Sequence, residues 1–272
     1  MTNIMGVTYP ADSTSTTDTT TLSYRTILGE VPWSLRDIAV VRDKGRPDDS
    51  ARAWALSLPH GLADGRMVDG PAAAHPPNAG FQKIFVVDPG ETHRHHLARV
   101  FGIRSGQDAL DAVADRLSAA GDPAYSSQHG VLADLCATAW SERPAAHTVL
   151  GPVDADHHHV VVPFLQPEAY QALPPTPPED ICAWDISVAV HLLWLAHGGG
   201  LLTEEQCDAP LGRALAMARD AYGSWTDYAD GVVVGRAVSD GRLDDSCHRF
   251  VHDTAVALNH PDSPWFRLDL QG

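Results

Sequence analysis

Apolar residues recur at helical spacing along most of the chain beyond residue 90. Ala109, Leu110, Val113, Ala114 and Leu117 fall three or four apart between Ser105, a residue type suited to a helix start, and Gly121, one suited to a stop. This predicts a helix over 106–120. Further helices are predicted over 92–101, over 129–141, from Thr203 to about Tyr222, over 224–238 as one helix or a short pair, and over 244–258. Residues 180–197 carry mostly apolar side chains, with Trp184, Val188, His191 and Leu195 on one face. That helix is expected at the centre, buried on several sides, with GGG at 198–200 ending it.

The first ninety residues read differently. Residues 1–22 are rich in Ser, Thr and Asp and bury too little apolar surface to offset ordering, so a disordered tail is expected. Residues 23–90 form a mixed segment packing on the core. It holds the helical stretch ARAWALSL, the loop DGPAAAHPPNAG, and short strand candidates at 38–41 and 81–87. Residues 142–183, with HHHVVVPF and then QALPPTPPED, read as irregular, their prolines a stiff connector. The fold class is mainly α: a single helical core domain over 91–272, an irregular N-terminal region, and at most a few short strands.

Charge narrows the partners. The 272 residues carry 35 Asp and Glu against 19 Lys and Arg, a formal net charge of -16. Nucleic-acid backbones and anionic membranes need clustered cations, so neither is an expected partner, whereas a basic protein is. No run reaches the ~18 apolar residues of a membrane span. The N-terminal residues lack a basic start followed by an apolar stretch, so a soluble cytoplasmic protein is expected. The four cysteines, Cys136, Cys182, Cys207 and Cys247, form no CxxC pair and read as reduced, mostly buried thiols. Dinucleotide, P-loop and hydrolase-elbow signatures are absent.

Four groupings of residues bear on chemistry. Asp185 lies in an apolar helix and needs a partner when ionised. Arg236 is the expected one, pairing bidentately. Trp225 and Arg236 are eleven positions apart, close to three helical turns. Asp185, His191 and Arg236 are therefore the catalytic candidates, with Trp184, Ser224, Trp225 and Trp265 lining a binding pocket. The plainer explanation is a buried ion pair that fixes helix packing, with Ser224 as an N-cap. His248 and His252 have the i, i+4 spacing that aims two imidazoles at zinc or another divalent ion. A third ligand would come from Asp244, from His93, His95 or His96, or from His157, His158 or His159. Solvated histidines on an amphipathic helix explain the pair as well, and surface histidines explain the runs HRHH and HHH. The acid pairs Asp244-Asp245 and Glu204-Glu205 stand near helix starts, where the macrodipole favours them without any ligand. No other cofactor is predicted.

ARAWALSL (51–58), the VFGI segment and following helix (100–117), AWD (183–185), GGGLLTEEQ (198–206), SWTDYADGVVVGR (224–236) and HPDSPWFRL (260–268) follow one another in an order that resembles the bacterial domain-of-unknown-function family numbered 1266. The resemblance implies a predominantly helical protein and brings no established activity. It also implies an arginine one turn after Trp-Asp, another later in that helix, and an aromatic after Gly-Arg. Here those positions are Val188, Trp194 and Ser239. Two functions stand: a partner-binding, regulatory or immunity-type module that meets a basic protein, and an enzyme taking a small, apolar substrate between helices. An enclosed pocket lined by Asp185, His191 and Arg236 would favour the enzyme.

Overall fold

In the computed structural model, residues 48–63, 89–259 and 263–272 are described. The expected tail over 1–22 and both strand candidates lie outside them. Among the described residues the secondary structure is helical, without strands. In chain order the helices are α1 (Asp48–Ala55), α2 (Leu58–Ala63), α3 (Pro89–His96), α4 (Gly106–Ser118), α5 (Pro123–Ala137), α6 (Ala146–Leu150), α7 (His158–Leu165), α8 (Ala169–Ala172), α9 (Cys182–Gly198), α10 (Glu204–Ala221), α11 (Trp225–Asp240), α12 (Asp245–Asn259) and α13 (Pro264–Arg267). A π-helical stretch, Leu97–Phe101, continues α3.

Helix starts follow their capping chemistry. The Ser105 hydroxyl accepts from the Asp108 N–H while the Asp108 carboxylate reaches back to the Ser105 N–H. Thr203 and Gln206 form the same reciprocal pair at α10. Ser224 caps α11 by accepting from the Asp227 N–H. Each such cap is worth about 1 kcal/mol. α11 is a single helix throughout. Gly200, at φ 71°, takes the chain away from α9 in a left-handed conformation that side chains disfavour.

α9 occupies the centre, because its apolar residues leave no face suited to water. α4, α10, α11, α3, α2 and α1 all pack against it. Its core continues through Leu56, Leu97, Val113, Leu211 and Tyr228. A second core joins Tyr125, Leu132, Phe164, Val234 and Val251. α11 divides the two, giving Val232 to the first and Val233, Val234, Ala237 and Val238 to the second.

The irregular reading of 142–183 needs correcting at its centre. HHHVVVPF lies within and before helix α7, whose Val160, Val161 and Phe164 are buried. Period-2 or period-3.6 patterning cannot be told apart over three valines, and Pro163 looks like a breaker. It is the sixth residue of this eight-residue helix, so one hydrogen bond is given up and the helix ends two residues later.

Two contacts decide how the core closes. Tyr228, fully buried, donates its hydroxyl to the Leu56 carbonyl at 3.0 Å. The Trp225 and Trp265 rings stack at 5.1 Å and 13°, while their indole N–H groups donate to Leu268 O (2.9 Å) and Ala55 O (2.8 Å). All four cysteines are free thiols. Burial pushes Cys182 and Cys207 up to about 12, so both remain protonated at neutral pH.

Candidate functional site

The expected Asp185–Arg236 pair does not form. Asp185 lies in the first turn of α9 and faces α4. There Arg116, in the last turn of α4, donates to Oδ1 at 2.8 Å, and the Gly121 N–H donates to Oδ2 at 3.0 Å. The reason is the helical rotation: adjacent residues project about 100° apart, so Trp184 points to α11 and α12 while Asp185 points to α4.

Arg236 is held from its own side of the molecule. Its guanidinium lies over the Trp184 ring at 5.1 Å and donates to Asp240 Oδ2 at 2.9 Å and to Ser246 Oγ at 3.0 Å. The Arg236 Nε–H is buried without a hydrogen-bond partner. The cation is thus fixed by a ring face and an i+4 carboxylate.

The third candidate, His191, is buried on α9 and stacks on His60 of α2 with centroids 4.7 Å apart and planes 19° from parallel. His60 Nε2 is 3.1 Å from Ser187 Oγ. The same ring meets Trp184 at 5.3 Å and the edge of Phe250 at 5.0 Å. His96 lies 6.5 Å from His191. A strip therefore runs from His96 through His191 and His60 to Trp184 and Arg236. It brings three histidines, an arginine and two aromatic rings together along α9.

Sequence reasoning missed Arg116, His60, Ser187 and Phe250. Ser187 carried a usable signal, since it lies between Trp184 and His191 on one face of an apolar helix. His60 carried none, because nothing in LPHGL marks which helix it will touch.

The binding candidates separate. Ser224 is a cap, and Trp225 and Trp265 are stacked core residues. About 16 Å of helix axis lies between Trp225 and Arg236. Trp184 alone of this group belongs to the strip. Of the implied arginine positions, Val188 is buried core and Trp194 meets the His93 ring edge-on at 4.6 Å.

The metal candidates also disperse. His252 Nδ1 is 3.4 Å from Asp253 Oδ1. His158 Nε2 faces the Leu150 and Val153 carbonyls, and His159 Nε2 pairs with Asp122 at 3.0 Å. Among the described residues the three-donor cluster is Asp240, Asp244 and Cys247, with ligand atoms within 4.8 Å of one another; His248 and His252 are not in it. Those donors are already engaged. Asp240 pairs with Arg236, burial raises the Cys247 thiol above its ordinary range, and Asp244 caps α12.

The Asp244 cap has a pH signature. Hydrogen bonds from the Cys247 N–H, the Ser246 hydroxyl and the Ser246 N–H bring its carboxyl down to about 2 from an ordinary 3.8. A depressed carboxyl stabilises the fold fully above its unfolded value and loses that contribution as pH falls through the folded one. The window is therefore about pH 4 to 2. Asp244→Asn, which keeps a capping oxygen, is expected to remove this acid-dependent loss while leaving stability at pH 7 within ~1 kcal/mol. Urea titrations at pH 5 and pH 3 read the difference, and an identical acid response in both proteins would contradict it.

No curated protein and no solved structure matches the chain. The family model described as "Protein of unknown function (DUF1266)" matches residues 96–270. That span runs from the end of α3 to the C-terminal tail and contains Asp185, His191 and Arg236, while α2 with His60 lies before it. The chain belongs to the DUF1266 family.

Proposed function

We propose that the protein is a partner-binding module of regulatory or immunity type, docking a basic protein on the acidic face formed by α4 and α10. The observation that carries this reading is the arrangement of those two helices. Gly106 at the start of α4 abuts Leu201 and Leu202 just before α10, and Arg213 of α10 reaches Ser118 at the end of α4. The helices therefore run parallel, and both rest on α9. Their buried residues face α9, leaving Asp108, Asp111 and Asp115 exposed on α4 and Glu205 and Asp208 exposed on α10. Such a field steers a cationic partner and sets its orientation.

The enzyme reading receives less support. Asp185, His191 and Arg236 take three different partners, where acid–base catalysis needs them on one reacting atom.

Charge reversal tests the proposal. Asp111→Lys, Asp115→Lys, Glu205→Lys and Asp208→Lys combined should weaken capture of a basic protein from source-cell lysate by more than ~100-fold, because like charges across an interface cost several kcal/mol. Wild-type capture should also fall steeply between 0.05 M and 0.5 M salt, as expected from shorter screening lengths. Retention of the same proteins by wild type and variant would overturn it.

A further inference from the structure

The tail beyond α13 is held differently from every other segment. Leu268 is extended, at φ -115° and ψ 143°. Burial then alternates: Leu268 is half-buried, Asp269 exposed, Leu270 fully buried and Gln271 exposed, the period of a strand lying on a surface. No strand pairs with it among the described residues. Instead three side chains from three helices each take one of three successive carbonyls. Trp225 Nε1, at the start of α11, donates to Leu268 O at 2.9 Å. Arg52 Nε of α1 donates to Asp269 O. Arg219 Nε, in the last turn of α10, donates to Leu270 O at 2.8 Å. In return the Gln271 side-chain amide donates to the Tyr222 and Arg219 carbonyls, at 2.6 Å and 3.1 Å.

Bound peptides are read in this way: main-chain bonds that any sequence can make supply affinity, and a pocket for alternate side chains supplies selection. Here the pocket is that of Leu270. The groove is also built independently of what fills it. Asp49 Oδ1 accepts from Arg219 at 2.7 Å and from Arg52 at 3.2 Å, fixing both guanidinium groups. Two cations against one carboxylate leave these walls positive, which complements an occupant bearing an acid. Asp269 supplies that acid, and its carboxylate accepts from the Gln271 N–H at 3.0 Å. Arg52 is buried, so its Nε–H needs a new acceptor whenever Asp269 O departs. An emptied groove therefore calls for a second extended chain. Trp265 anchors α13 through Trp225 and Ala55 O, and residues 268–271 lie beyond that anchor, so they can lift while α13 stays seated.

We propose that the groove between α1, α10 and α11 is a docking site for an extended, acidic Leu-x-Leu segment of a partner protein. Residues 268–271 are its internal stand-in, closing the site until such a segment displaces them. The groove meets α10 at its last turn, whereas Glu205 and Asp208 lie in its first two turns, so this proposal and the acidic-face reading stand or fall separately.

Fluorescence anisotropy with a labelled peptide RLDLQG, the sequence of residues 267–272, tests this on the full chain. Leu270→Asp, which cannot seat its own tail, should bind the peptide at least about tenfold more tightly than the wild type, whose tethered tail competes at an effective concentration on the order of mM. Adding Arg219→Gln should remove that gain, and so should replacing the second leucine of the peptide by Asp. Folded Leu270→Asp that takes up no peptide at roughly 1 mM, or that ignores the leucine replacement, would overturn the proposal. Self-association of the wild type that Leu270→Asp abolishes would make a second copy the occupant, and would overturn the assignment to a foreign partner. Where Leu270→Asp does not fold, NMR of the wild type decides. Roughly 10 mM peptide, above the effective concentration of the tail, should move the 269–271 amides to unfolded positions while the Trp225 indole N–H keeps its bonded shift. Tail amides that stay in place under those conditions mean that the groove admits no second chain.

Discussion

Trp265→Ala should lower stability by about 3–5 kcal/mol, the range for emptying a buried tryptophan site. That is a large share of the roughly 5–15 kcal/mol that holds a domain together. The side chain fills the junction of three helices: it stacks on Trp225 and meets Tyr228 edge-on at 5.7 Å, while its indole N–H donates to Ala55 O. Truncation removes the stack, opens a cavity and leaves a buried carbonyl unpaired. Trp265→Phe separates these contributions by keeping a ring and losing the donor, and its expected cost is nearer ~1–2 kcal/mol. Urea unfolding followed by circular dichroism measures both. A loss below 1 kcal/mol for the alanine variant would mean that α13 is not part of the cooperative core.

A single added methyl should also be damaging at Gly235. A Cβ built there falls 2.5 Å from Trp184 Cβ and 2.9 Å from the Ile181 carbonyl oxygen. Neither neighbour is the far end of a flexible side chain, so α11 must move away from α9. The expected cost of Gly235→Ala is about 1–3 kcal/mol, the usual penalty for overpacking. The nature of the clash predicts the epistasis. Trp184→Phe shrinks the ring but keeps the Cβ, so it should give no relief, and Gly235→Ala should cost the same in that background. Recovery of more than ~0.5 kcal/mol in the double variant, beyond ordinary non-additivity, would show that the ring rather than the backbone approach sets the spacing. The displacement would also be visible at Arg236, whose place over Trp184 depends on that approach.

The helices were legible because their signals are local. Ser105, Thr203 and Ser224 each satisfy the N–H group three residues on, and the stripe Ala109, Val113, Leu117 repeats within one element. α7 was misread because three consecutive valines fit strand and helix alike and Pro163 resembles a stop. The site was harder for a different reason. Asp185 was correctly seen to need a cation, but any arginine on a neighbouring helix meets that need in sequence. Arg116 and Arg236 differ only in which side of α9 their helices occupy, and side is a property of packing. His60 shows the limit most plainly: the stack with His191 joins residues 131 positions apart across an interface that neither local pattern encodes.

The bond from Trp265 to Ala55 spans 210 positions. At typical synthesis rates of about 5–20 residues per second, α1 waits roughly 10–40 s on the ribosome before the residue that seals it exists. Arg52 waits equally long for Asp269 O, and Tyr228 meets Leu56 only somewhat earlier. Until α9, α10 and α12 are made, Trp54, Leu56 and Leu58 have no core to enter. Nascent chains thus carry an exposed apolar segment until those helices emerge, and α1 and α2 are expected to engage a ribosome-associated chaperone in that time.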